Sequence, residues 1–262
     1  MSDIERQRNH FTSVAQRYID ARKSKNHLLL KSLIWRYFFS LKSVQNIFKN
    51  KASISTFEPM CGYGEGYKIL KEYGSFSFIY EGADISEPMI KEALSRYPHL
   101  KFSVGDATKD FGTNKYDLII IIGGLHHVFR YLPLVLENIH RALRPGGIFI
   151  NFEPTEGNRL FTYVRNVIYR NNDLFDADTE RGFGLGELNN FYQSAGFNIV
   201  EQIYPGLSSY VLYYNPDAFP KLNNGPNWFV SILFNLDKFL FRNYIGGFLS
   251  FATISVLRKN EV

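Results

Sequence analysis

Between about residues 53 and 153 the apolar positions switch repeatedly between two periods. Short runs dense in β-branched and aromatic residues predict strands at Ile54–Glu58, Phe78–Ala83, Lys101–Val104, Tyr116–Ile122 and Gly147–Phe152. Between them, apolar residues spaced by three and four predict helices over Gly66–Tyr73, Glu87–Arg96 and Tyr131–Leu143. The run Asp117-Leu118-Ile119-Ile120-Ile121-Ile122 is apolar without alternation, as expected for a central parallel strand covered on both faces. Repeated strand–helix units imply right-handed crossovers and a doubly wound α/β sheet, mostly parallel.

The flanks read differently. Residues 1–50 predict helices, with Phe11, Val14, Ala15, Tyr18 and Ile19 on one stripe and Leu29, Leu33, Tyr37 and Leu41 on another. We expect them to form a helical cover. Residues 51–153 form the core of the sheet, and 154–262 a substrate lid plus the last strands. In that final part the pattern predicts a helix at Arg159–Tyr169, a helix at Glu187–Ala195 closed by Gly196, and a strand at Phe197–Tyr204. A loop-rich insertion with four prolines follows from Pro205 to Pro226, then a helix at Trp228–Phe241 and a strand at Leu249–Leu257. The count is seven strands.

Composition narrows the class. Hydrophobic residues make up 45% of the 262, enough for a packed core. Net charge is +5, but Lys and Arg are dispersed with no run of five like charges, so a nucleic-acid tail is not indicated. Cys61 is the single cysteine, which excludes an internal disulfide and a multi-cysteine metal site; no metal is expected. Met1 to His10 is polar and charged, so cytoplasm is the expected location. The apolar stretches Trp228–Leu236 and Asn243–Leu257 are shorter than the ~18–20 residues that span a bilayer, and Asp237, Lys238 and Arg242 separate them. They read as buried helix and strand, with peripheral membrane contact as the lesser reading.

The densest chemistry lies in Glu58-Pro59-Met60-Cys61-Gly62-Tyr63-Gly64-Glu65-Gly66. Strand, glycine-rich turn and helix in that order bind a nucleoside-containing ligand at the carboxyl ends of an open sheet. The acid before the glycines points to S-adenosylmethionine, and the third glycine comes one residue too early for the dinucleotide fingerprint.

Further motifs follow in order: Gly82-Ala83-Asp84-Ile85-Ser86 with Met89, Gly105-Asp106-Ala107, Gly124-Leu125-His126-His127-Val128, and Leu143-Arg144-Pro145-Gly146-Gly147. With the N-terminal Phe11-Thr12-Ser13-Val14-Ala15-Gln16-Arg17-Tyr18, they make residues 53–153 resemble the class I S-adenosylmethionine-dependent methyltransferases. That resemblance implies the Rossmann-like methyltransferase fold and S-adenosylmethionine as cofactor. It also implies a set of cofactor contacts. Asp84 would take the ribose hydroxyls, Ile85 and Met89 would flank the adenine, and Asp106 and Ala107 would bond its edge. Gly62, Tyr63, Gly64 and Gly123 would line the close approach. Glu58 would orient the glycine loop or the cofactor's ammonium, and Tyr18 or Arg22 would reach its carboxylate. Met60 departs from the family pattern, which has glycine there.

Methyl transfer needs alignment and exclusion of water, and for a hydroxyl acceptor a base. His126 and His127 lie just past the fourth strand and Glu153 past the fifth. We favour His127 as the base, with Glu153 orienting a histidine or acting as base itself. The reading is O-methylation of a small, partly apolar acceptor. Left open are C- or N-methylation of a lipid-like, quinone or terpenoid acceptor, and a non-catalytic S-adenosylmethionine-binding partner subunit. No Asn/Asp-Pro-Pro-aromatic motif follows strand four, so nucleic acid is not expected as substrate. Oligomeric state is left open. Arg159, Arg165 and Arg170, among Phe161, Tyr163 and Tyr169, could grip an anionic acceptor group or form a solvated face. Phe183, Phe191, Tyr192 and Tyr210 could line an apolar mouth or pack in the core.

Overall fold

The structure is a computed structural model that describes residues 3–49, 51–157, 163, 181–216, 220–223 and 225–260. Three helices come first: α1 (Asp3–Ala21), α2 (Lys25–Ser40) and α3 (Lys42–Phe48). The alternating region then gives β1 (Ile54–Pro59), α4 (Glu65–Tyr73), β2 (Phe78–Asp84), α5 (Glu87–Arg96), β3 (Lys101–Val104) and β4 (Tyr116–Ile122). A 3-10 segment, Leu125–Tyr131, leads into α6 (Leu132–Ala142) and β5 (Leu143–Glu156). Beyond lie β6 (Phe183–Gly184), α7 (Leu185–Ser194), β7 (Phe197–Ile203), α8 (Ser208–Tyr213), α9 (Pro220–Asn223), α10 (Asn227–Asp237), α11 (Tyr244–Leu249) and β8 (Ala252–Lys259).

The strands run in the order β3-β2-β1-β4-β5-β8-β7, with β6 pairing on β5. The first five are mutually parallel, and β8 is antiparallel to both β5 and β7. The expected doubly wound sheet is therefore present, and the two-residue β6 is its one addition to the seven strands.

The apolar run in β4 explains the layering. Leu118 and Ile120 face one core, shared with α2, α3, α4, α8 and α10, while Ile119 and Ile121 face the other, shared with α6 and α7. Strand side chains alternate between faces, so an uninterrupted apolar run buries both. Helix α2 is more than a cover: Leu30, Ile34, Trp35 and Phe38 are wholly buried. Truncating any one of these would cost about 2–5 kcal/mol. Helix α1 lies over the cleft at the carboxyl edge of the sheet.

Several boundaries differ from the sequence reading. Strand β5 starts earlier and ends later than Gly147–Phe152, because it pairs with β4, β6 and β8 along its length. The Pro205–Pro226 stretch contains two short helices rather than loop alone. The final apolar run is broken: α11 turns at Gly246 and Gly247 before β8 begins at Ala252. A Cβ on Gly246 would strike the Leu240 carbonyl oxygen, so only glycine allows that approach. The expected helix at Arg159–Tyr169 lies outside the described residues except for Tyr163. Among the described residues no helix is long and apolar enough to cross a membrane.

Candidate active site

The strand order reverses between β1 and β4, the position at which open α/β sheets bind ligands beyond their carboxyl ends. A cleft of ≈ 1030 Å³, counting space open to solvent, lies there. Helix α1 roofs it with Ile4, Gln7, Phe11 and Tyr18.

The chain leaving β1 makes one wall. Met60, Gly62 and Gly64 all have left-handed backbone, with φ of 67°, 52° and 87°. Gly66 has another reason to be glycine: a Cβ there would lie 2.5 Å from the Glu58 carboxylate. Glu58 is thus seated under the start of α4, where it accepts the Gly66 N–H at 3.0 Å and the Tyr80 hydroxyl. Burial raises its pKa from 4.5 to about 8 against the pull of those two donors. Glu65, on the same wall, pairs with the nearly buried Lys31 of α2.

Asp84 ends β2 and faces the cleft. One carboxylate oxygen accepts the Gly62 N–H at 2.8 Å and the other accepts the Ser86 N–H at 2.9 Å. Burial lifts its pKa, while the two amides and the charge of His127 pull the other way. Each oxygen can accept more than one donor, so capacity remains for hydroxyls. Asp106 braces its own loop by accepting the Thr108 N–H and hydroxyl, both at 2.8 Å, and with Ala107 it forms the next stretch of wall. Met89 packs with Ala15 and Ile19 of α1, against Tyr18 and Tyr63. Burial pushes the Tyr63 hydroxyl up to about 12, and Arg96 stacks over its ring at 4.3 Å.

The loop after β4 is pulled inward by Glu153. Its Oε1 accepts the Gly124 and Leu125 N–H groups at 2.9 and 2.7 Å and the Asn151 amide at 3.1 Å. Its Oε2 is 2.8 Å from His126 Nδ1. Burial would raise this carboxyl, but His126, the Leu125 N–H and Asn151 hold it below the ordinary range. His126 is consequently turned into the protein and buried. His127 lines the cleft, edge-on to Phe11 with ring centroids 4.7 Å apart.

The structure brings Tyr18, Glu58, Gly62, Tyr63, Asp84, Ile85, Met89, Asp106, Ala107, Gly123 and His127 onto the cleft wall. It sets Arg22, Gly64, His126 and Glu153 behind that wall. Arg22 stacks over Tyr18 at 4.1 Å, Gly64 lies against Tyr97, and Glu153 braces His126 rather than His127. Phe183, Phe191 and Tyr192 belong to the core, and Tyr210 stacks on Tyr214 at 4.5 Å in the opposite core, so none of them forms a mouth. Arg159, Phe161, Arg165, Tyr169 and Arg170 lie outside the described residues, and Tyr163 is exposed. The sequence reading missed Met60, Glu65, Ile122 and the Val128–Tyr131 segment on the wall. Their positions right after β1 and β4 carried the available signal. Among the described residues no three His, Cys, Asp or Glu side chains are disposed to hold a metal.

Narrow glycine turns, two strand-end carboxylates and a buried acid under a helix start suit a nucleoside bearing an amino-acid tail. Comparison with known proteins agrees. Residues 58–151 match the methyltransferase domain family. A demethylmenaquinone methyltransferase from Leptospira interrogans is 29% identical over 154 residues, 56% of this chain and 59% of its own length. The chain thus spans little more than half of that relative. A chain from the Haloferax volcanii complex of the Trm112 methyltransferase activator and a methyltransferase superposes with TM-score 0.60 at 14% identity, over 97% of this chain and 98% of that one. The [4+2]-cyclase SpnF superposes with TM-score 0.56 at 16% identity, over 87% and 82%. These two likenesses concern the fold.

Proposed function

We propose that this chain, whose residues 58–151 match the methyltransferase domain family, is a class I S-adenosylmethionine-dependent enzyme that methylates a small, partly apolar acceptor held beneath α1. The observation that carries this reading is that Asp84 and His127 share one cleft, close enough for His127 to act on the Asp84 charge. Bound S-adenosylmethionine would supply a methyl group already activated by its sulfonium. Asp84 would hold the ribose, Asp106 and Ala107 the adenine edge, and Ile85 and Met89 its faces. Glu65 stands beside the glycine turn, suited to the ammonium end, while the buried Glu58 orients that turn through the Gly66 N–H.

His127 is the group on the wall suited to take a proton from an acceptor hydroxyl. Glu153 has its oxygens engaged by the loop, so it serves as a brace. Met60, Ile122, Val128 and Phe129 give the remaining wall an apolar character, and α1 keeps water out. Methylation at oxygen follows directly from removal of that proton. A second reading, methylation at a ring carbon, is favoured by relatives named demethylmenaquinone methyltransferase, since an ionised ring hydroxyl shares its charge with ring carbons.

Titration calorimetry with S-adenosylmethionine tests the cofactor, and mass analysis after incubation with phenolic and quinol acceptors tests the transfer. We expect saturable binding that weakens at least about tenfold in Asp84→Ala. Binding unchanged in that variant would refute the cofactor site. Binding with no methylated product from any acceptor would leave a binding protein.

A further inference from the structure

We infer that the exposed aromatic face of α10 and α11 docks on the surface of an anionic lipid bilayer. Helix α10 is anchored on one side, where Val230 and Phe234 are buried in the core and Asp237 accepts the Ser209 N–H at 2.7 Å. Its other side carries Trp228, Ile232 and Leu236 at successive four-residue spacing, each about half or more exposed. Phe239, in the turn that follows, is 78% exposed, and Tyr244 at the start of α11 is 87% exposed. Isolated exposed apolar residues are ordinary, but a run of large ones on one firmly held face marks an interaction surface.

Charge selects the occupant. From Pro220 to Ser250 the sequence contains Lys221, Lys238 and Arg242 and a single acid, Asp237. Asp237 is buried beneath Ser208 and Ser209, so that stretch presents cations and no exposed carboxylate. Lys221 is exposed, and Arg242 is half-exposed while pairing with Glu201 of β7. Lys25, exposed at the start of α2, stands at the Trp228 end, where the Asn26 side chain donates to the Gly225 carbonyl. A second copy meeting this face by two-fold symmetry would set like cations against each other. A bilayer with anionic headgroups pairs with them and accepts indole, phenol and phenyl rings at its boundary. Since no described helix can span, the face lies on the membrane. The inference stands whichever acceptor is methylated.

Flotation of the full chain with vesicles of phosphatidylcholine alone, and of an equal mixture with phosphatidylglycerol, tests this. We expect binding to the mixed vesicles that falls with salt and is weak on phosphatidylcholine. It should drop roughly fivefold in Lys238→Ala. It should vanish in the triple variant Trp228→Ser, Phe239→Ser, Tyr244→Ser, whose thermal melt stays that of the parent because all three are exposed. If the triple variant fails to fold, Lys238→Ala and the salt series decide. Flotation of the triple variant equal to the parent, or equal binding to both vesicle types, would overturn the inference. So would a parent dimer that the triple variant dissociates while neither floats.

Discussion

Met60 is the residue at which this chain leaves the pattern of the methyltransferases it resembles, and the backbone registers the departure. A φ of 67° is one that bulky side chains adopt at a cost of about 1–2 kcal/mol. Its side chain fills space that Gly124 leaves open, since a Cβ there would come within 3.1 Å of the Met60 sulfur. Met60→Ala and Met60→Gly both remove the thioether, but only glycine releases the strain. Urea unfolding should therefore find the glycine variant more stable than the alanine variant by about 1 kcal/mol. The two histidines separate in the same manner. His127→Ala should lower turnover more than about tenfold while leaving S-adenosylmethionine affinity nearly unchanged. His126→Ala should cost about 1–3 kcal/mol of stability, because Glu153 then loses a buried partner. Neighbouring positions in sequence thus give opposite readouts, one kinetic and one thermodynamic.

At the scale of elements, α1 is the helix that roofs the cleft. It meets α5 through Ala15, Ile19 and Met89 and reaches the loop after β4 through Phe11 and His127. A ligand bound beneath such a helix adds contacts that hold it in place. Amide exchange over residues 3–21 should slow when S-adenosylmethionine is added, and exchange in α2, whose inner face carries the buried Leu30, Ile34, Trp35 and Phe38, should not change. The sequence made the alternating core legible because β4 and its neighbours carry unbroken apolar runs, and it made Asp84 and Asp106 legible because strand ends fix their positions. What it could not disclose was direction. Periodicity says nothing of which histidine Glu153 grips, nor that Phe183 and Tyr192 turn inward. Residues after Pro205 were harder still, since short helices such as α8 and α11 form through contacts with distant carbonyls and glycines.

For the molecule as a whole, the buried Glu58 links stability to pH. The folded state keeps its proton up to about pH 8, whereas the unfolded chain releases it near 4.5. Between those values the folded form binds more protons, so this group makes stability fall as pH rises across that window. Glu58→Gln preserves an acceptor for the Gly66 N–H and removes the titration. Urea midpoints measured below pH 4.5 and above pH 8 should then differ less in the variant than in the parent.

Strand β8 follows every other described element in chain order, yet it is inserted between β5 and β7. During synthesis both neighbours must therefore wait, each with a row of amides and carbonyls exposed, until β8 emerges to zip them together. Any pause or truncation just upstream of Ala252 would leave two open edges on one nascent chain, a template for mispairing that holdase chaperones would have to shield.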